Sequence, residues 1–288
     1  SAGRDARSAA ASDRPVRIER GDWALGLKPD LGASITSLTW RGRDVLRPAP
    51  DALDSPLAAS SFPLAPYANR IDGGAFVFQG EAARLPATAG FEPHALHGVG
   101  WRSRWTVVSA DGGTIVLVLA VEAGPEWPWA WTASHRLTLS EAGLEMGLSL
   151  ANEHGAPMPA GLGLHPYFAV EAATRLQLSA PRIWLTDARE IPSRLANAAG
   201  LIDWSDGAAV ADAPFVDHAY ADWDGRATLL HDGWRVDLTA SPNARWAQVY
   251  APRGEGFVCV EPVTHRPNAH NAPAGEDSGL TVLAPGGV

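Results

Sequence analysis

Trp105-Thr106-Val107-Val108-Ser109-Ala110-Asp111-Gly112-Gly113-Thr114-Ile115-Val116-Leu117-Val118-Leu119-Ala120-Val121 is the stretch from which the fold class follows. Its two arms, 105–110 and 114–121, are rich in β-branched residues. Asp111-Gly112-Gly113 between them supplies the positive backbone angles that a tight antiparallel turn needs. The same pattern recurs on both sides of this hairpin. Residues 134–139 and 144–151 flank Ser140-Glu141-Ala142-Gly143, and residues 228–230 and 234–239 flank His231-Asp232-Gly233. Upstream, 23–27 and 33–40 read as strands, and Arg41-Gly42-Arg43 turns the chain back toward Val45. Residues 75–78 are followed by a turn at Gly80 and a strand toward Leu85. Residues 246–250, 257–260 and 280–283 complete the set. No segment sustains the 3.6-residue period of a long helix, and no repeat recurs at a fixed spacing. Residues 187–212, with Pro192, Asn197, Gly200 and Asp206, read as a long excursion with room for one short helical turn. The expectation is an all-β chain, a large and mostly antiparallel β-sandwich forming a single domain over residues 15–288. Residues 1–14, rich in Ala, Ser, Arg and Asp, lack the apolar core of a secretory signal and are expected to be a disordered tail.

The chain has 288 residues, 46% of them hydrophobic and 19% charged, which allows a sizeable core. A net charge of −9 argues against nucleic acid or an anionic membrane surface as partner. It is compatible with a neutral small molecule. No run is long enough to span a membrane, and the cytoplasm is the default location. The one cysteine, Cys259, permits neither an intrachain disulfide nor a multi-cysteine zinc site. Between Val258 and Val260 it reads as a small buried hydrophobe. Twelve Trp are unusually many. Most are expected in the core, and a minority lining a cleft where indole faces meet the C–H faces of a sugar.

Four stretches carry candidate chemistry. In Gly161-Leu162-Gly163-Leu164-His165-Pro166-Tyr167-Phe168, read as one strand, alternation sets Leu162 and Leu164 on a core face. Gly161, Gly163 and His165 fall on the other face, where the glycines leave room beside the imidazole. Taken alone, such a histidine is more often a core residue bonded to a carbonyl. In Phe257-Val258-Cys259-Val260-Glu261-Pro262, Glu261 ends a strand with apolar neighbours on its own face. Desolvation there would raise its pKa and suit it to general-base work, whereas a lone strand-end Glu more often reaches water. Pro63 and Pro66 stiffen a loop that delivers Asn69 and Arg70, donors suited to hydroxyls or to bracing the loop. His97 precedes a Gly98-Val99-Gly100 turn that would expose it. His94 and His97 lack an acidic or cysteine partner at metal-site spacing. His265 and His270 read as loop histidines, and Asp217 as a hydroxyl acceptor or a turn aspartate. There is no serine-nucleophile elbow, phosphate loop or dinucleotide fingerprint.

Taken together, Asn69-Arg70-Ile71 with Gly74 and Phe76, Leu96-His97-Gly98 with Trp105, His165-Pro166-Tyr167-Phe168, Asp217-His218, and Glu261-Pro262 leading to Asn268 and Asn271 resemble the aldose 1-epimerase (galactose mutarotase) family. The pieces occur in the family's order over roughly residues 60–271. The resemblance implies a galactose mutarotase-like supersandwich. It implies an isomerase of carbohydrate metabolism that interconverts the anomers of a free monosaccharide without metal or redox cofactor. His165 matches the family's general acid and Glu261 its general base. Asn69, Arg70, His97 and Asp217 fall in the pieces that hold the sugar. The chain is shorter than many mutarotases, and the segments after His97 and Glu261 resemble a bacterial branch of the family. The preferred aldose and the oligomeric state are therefore left open. A hexose-6-phosphate 1-epimerase or a non-catalytic sugar-binding protein on the same fold are the alternatives.

Overall fold

Turn chemistry sets the strand registers. Gly112 and Gly113 adopt φ of +58° and +93°, so a two-residue loop joins Asp111 directly to its cross-strand partner Thr114. The same two-residue spacing closes Trp40 on Arg43, Phe78 on Glu81 and His231 on Trp234. The computed structural model describes residues 15–288, and the expected tail over residues 1–14 lies outside them. Among the described residues the helical segments are short 3₁₀ turns such as Pro56–Ala58 and Gly100–Arg102. None is long and apolar enough to cross a membrane.

The architecture is a large antiparallel β-sandwich. One four-stranded sheet runs in the order Thr106–Asp111, Thr114–Val121, Trp131–Ser140, Gly143–Asn152. Its central strand alternates: Trp131, Ala133, His135, Leu137 and Leu139 are buried, while Arg136 is exposed. The largest sheet contains, in order, Pro192–Asn197, Arg182–Thr186, Val216–Ala221, Trp246–Ala251, Phe257–Val263, Gly163–Leu164 and Pro63–Leu64, with Tyr167–Ala169 also on Phe257–Val263. Two further four-stranded sheets, Val16–Arg20 through Arg43–Asp44 and the set around Arg226–His231, complete the layers. The strand Phe257–Val263 separates two apolar clusters. Val258 and Val260 enter the main core, whereas Phe257 and Cys259 enter a smaller one with Phe62, Trp101 and Tyr167. Alternation therefore gives Glu261 the face of the smaller cluster.

Several expectations change. Residues 161–168 are not one strand: Gly163–Leu164 and Tyr167–Ala169 pair separately, because Pro166 has no N–H to continue the ladder. Leu162 and Leu164 are only half-buried. The excursion at 187–212 contains an edge strand, Pro192–Asn197, as well as one 3₁₀ turn, Ala198–Gly200. Its proline is tolerated at the strand start on a sheet edge. Asp217 lies within the strand Val216–Ala221 rather than in a turn.

Candidate active site

The register of the largest sheet brings the two central residues together. Gly163 is opposite Val263 and Tyr167 is opposite Cys259, so His165, midway between them, falls across from Glu261. His165 Nε2 is 3.2 Å from Glu261 Oε1. Glu261 is not at the strand's last position as expected, since pairing continues to Val263. The imidazole is clamped between Phe62 (ring centroids 4.6 Å) and Tyr167 (4.7 Å, 21° between planes). The Arg47 guanidinium lies 3.6 Å from the outer face of Tyr167. Such a stack fixes the ring plane, so Nε2 has little freedom to leave Glu261.

The expected open face beside His165 is filled. A Cβ on Gly161 would lie 1.9 Å from Cδ2 of His265, and one on Gly163 would lie 2.8 Å from Val263 Cγ1. These glycines make room for protein rather than for a ligand. His265, expected to be a loop residue, is buried. Its Nδ1–H donates to Arg266 O (2.8 Å), and its Nε2 accepts from the Ala68 N–H (3.1 Å). His265 thereby pins the loop that carries Asn69 and Arg70. His270 is likewise packed against Phe76 and Tyr67 instead of being a polar loop residue. Gly161→Ala is expected to displace the His265 ring and release Ala68, costing about 1–3 kcal/mol in the manner of an overpacked core. Thermal unfolding checks this, and an unchanged Tm would show that the imidazole has another place to go.

Asn69 and His97 hold each other. Both adopt left-handed backbone (φ +61° each), a conformation Asn tolerates well. The Asn69 N–H donates to His97 Nδ1 (2.9 Å), and the His97 N–H donates to Asn69 O (3.0 Å). With Nδ1 accepting, a neutral His97 carries its proton on Nε2. The Gly98-Val99-Gly100 turn does not expose His97, which is buried. Gly98 instead packs against Ala65, where a Cβ would sit 2.5 Å from the carbonyl oxygen.

Arg70 begins the two-residue strand Arg70–Ile71, paired with Ala95–Leu96. Its Nη2 donates to Glu190 Oε2 (2.6 Å), and its Nη1 is 3.8 Å from Asp217 Oδ2. Asp217 also accepts from Gln248 Nε2 (2.7 Å), and Gln248 is the ladder partner of Glu261 on the next strand. Asn69, Arg70, His97, His165, Asp217 and Glu261 all line one cleft of about 790 Å³, a size suited to a small ligand.

Burial dominates the electrostatics. It pushes the His165 imidazole down to about 3, helped by the nearby Arg47 charge, and raises the Glu261 carboxyl well above the usual range, helped by Asp217. Asp217 is raised by burial against the pull of Arg70, and His97 is lowered by burial and by His165. The His165–Glu261 pair thus favours a single shared proton in an uncharged arrangement. His165, Cys259 and Glu261 place their donor atoms within 4.8 Å of one another, the one such group among the described residues. Burial raises the Cys259 thiol well above its normal pKa, so the sulfur holds its proton and is a poor ligand. His94 is no partner for a metal with His97: its Nδ1 accepts from the Gly73 N–H, and its Nε2 meets Arg189 O.

The family profile of the aldose 1-epimerases matches residues 28–288. The chain belongs to the aldose 1-epimerase family. The uncharacterized Escherichia coli (strain K12) protein YphB is 30% identical over 238 residues, covering 79% of this chain and 80% of YphB. A solved structure from Escherichia coli K12 superposes with a TM-score of 0.85 at 28% identity, covering 95% and 94% of the two chains. A galactose mutarotase-like protein of Clostridium acetobutylicum superposes with a TM-score of 0.84 at 23% identity, covering 95% and 91%. The fold is that of the galactose mutarotase-like proteins.

Two residues lining the cleft, and Gln248 behind it on Asp217, carry little or no signature in the sequence. Gln248 left a trace, being a polar residue inside the apolar run Trp246-Ala247-Gln248-Val249-Tyr250. Arg47 and Glu190 left none, because only the folded chain brings them to the cleft.

Proposed function

We propose that this member of the family is an aldose 1-epimerase, interconverting the α and β anomers of a free, neutral aldose. The observation that carries the reading is the His165–Glu261 contact of 3.2 Å at the floor of a cleft ringed by Arg70, Asp217, His97 and Asn69. A cyclic aldose is a hemiacetal. The reactive form of the sugar-bound pair is the minor tautomer in which the shared proton sits on His165, leaving Glu261 a carboxylate. Glu261 removes the O1 proton while His165 protonates the ring oxygen, and the C1–O5 bond breaks to give the aldehyde. Both residues are then neutral, the form that burial favours. Rotation about C1–C2 presents the other carbonyl face. His165 takes the O5 proton back, Glu261 returns its proton to O1, and the ring closes as the opposite anomer. Protons balance, and each group contributes on the order of 10²–10⁴-fold. Arg70, Asp217, Asn69 and the His97 Nε2–H would orient hydroxyls. Polarimetry on freshly dissolved α-glucose or α-galactose tests the reading. Accelerated decay of rotation to the equilibrium value is the expected result, and binding without acceleration would leave a sugar-binding protein instead.

A sugar phosphate is a poorer fit. Two or more uncommitted cations would have to converge on the phosphate. Arg70 already faces two carboxylates, Arg189 faces Asp72 and Asp187, and Arg47 donates to the Leu57 and Ala59 carbonyls. Glucose is expected to exceed glucose 6-phosphate in kcat/KM by at least about tenfold, an energy gap of about 1.4 kcal/mol. The reverse order would overturn the preference for a neutral substrate.

A further inference from the structure

The loop between the strands Arg182–Thr186 and Pro192–Asn197 is built to hold one side chain over the cleft. Asp187 Oδ1 accepts from the N–H groups of Arg189 (2.8 Å) and Ile191 (3.1 Å), and Glu190 N–H donates to Asp187 O (3.0 Å). Arg189 Nη1 donates to Asp72 Oδ1 (2.9 Å), and His94 Nε2 meets Arg189 O at 3.0 Å, tying the loop to the segments that carry Asp72 and His94. Glu190 sits at its tip with φ +63°, a conformation that costs a non-glycine residue free energy and persists only where its surroundings impose it. Its side chain is 56% exposed, yet its Oε2 accepts from Nη2 of Arg70, a side chain only 10% exposed.

We infer that Glu190 is a specificity-determining residue of the cleft: it cancels the Arg70 charge and selects neutral aldoses over acidic ones. The inference rests on the reading of the cleft as a sugar site. Arg70 is the cation that an acidic substituent, such as the carboxylate of a uronic acid, would seek. With Glu190 and Asp217 both beside it, the arginine has no net attraction left for a third anion, and an incoming carboxylate meets like charge at the rim. Neutral hydroxyls are treated differently, since they can donate to Glu190 and Asp217 and accept from Arg70. Because Glu190 is largely exposed and its loop is held by Asp187 and Arg189, changing its side chain leaves the scaffold's own bonds in place.

The test compares galactose with galacturonate near neutral pH in the wild type, Glu190→Gln and Glu190→Arg. Rates come from polarimetry, and dissociation constants from titration calorimetry. The acid-to-neutral ratio of kcat/KM is expected to rise about tenfold in Glu190→Gln and further in Glu190→Arg, the scale of one partly screened charge pair. The gain should shrink in 1 M salt. A ratio that stays within about twofold of wild type in both variants overturns the assignment. If no protein accelerates anomerisation, the epimerase reading falls, and the same ratio taken from dissociation constants still decides the role of Glu190. Failure of both sugars to bind any of the three proteins overturns that role as well.

Discussion

Glu261→Gln is expected to lower kcat for anomerisation by about 10²–10⁴-fold while leaving the protein folded. Glutamine keeps the shape of the side chain and its contact with His165, so the loss reports proton transfer rather than packing. It also removes an ionisable group from a buried site, so no uncompensated charge is left in the core. His165→Asn should reduce turnover on the same scale, because no other imidazole stands against Glu261; His97 is held away by the Asn69 N–H. Polarimetric progress curves, with circular dichroism as a check on folding, measure both. Near-normal turnover in either variant would remove that residue from the mechanism. The pH profile adds an independent reading. The working pair holds one proton, and a second must go onto an imidazole pushed down to about 3, while the raised carboxyl holds the shared one. Activity should therefore stay flat through pH 4.5, where an exposed glutamate would protonate, as long as the protein remains folded.

That condition leads to the second large effect, a loss of stability in acid. Burial pushes His135 and His265 down to about 4, His165 to about 3, and His97 and His270 well below the usual range. A histidine depressed in the folded state stabilises above its unfolded pKa of about 6.5, and that stability is lost as pH falls toward the folded value. For His135 or His265 the loss between neutral pH and pH 4.5 is about 2–3 kcal/mol each. The raised carboxyls of Glu261 and Asp217 act in the opposite direction and offset part of the total. Chemical denaturation at pH 7.5 and 4.5 should show the difference directly, and equal stability at both would contradict it. His135 isolates one contribution. It occupies the middle of the strand Trp131–Ser140, opposite Leu117 and Leu148, and neither ring nitrogen has a partner. An unsatisfied buried polar group costs about 1–3 kcal/mol. His135→Leu is therefore expected to stabilise the protein at neutral pH and to flatten the acid limb by its own share. A variant less stable than wild type at both pH values would mean that the imidazole has a partner after all.

Much of the architecture was legible because antiparallel sheets are written locally. The turn at Asp111-Gly112-Gly113 and the alternation of Trp131, Ala133, Leu137 and Leu139 each need only a few neighbouring residues to be read. The errors fell where distant segments meet. Gly161 and Gly163 looked like open space because the sequence does not show that His265 and Val263 occupy it. The same blindness made His265 and His270 look like loop residues, although the first is a brace under Ala68.

The strands, their tight turns, the alternation that puts Glu261 on the face opposite Val258 and Val260, and the motifs of the aldose 1-epimerase family can all be read from local sequence. Those properties depend on side-chain period and on backbone angles, which are set within a few residues. It takes the folded chain to pair Gly163 with Val263 and Tyr167 with Cys259, which brings His165 against Glu261, and to clamp the ring between Phe62 and Tyr167. Folding also brings Glu190, 120 residues along the chain from Arg70, to the same cleft. Pairing register and burial arise from contacts between segments far apart in the chain, and they set both the distance between His165 and Glu261 and the desolvation that shifts their protons.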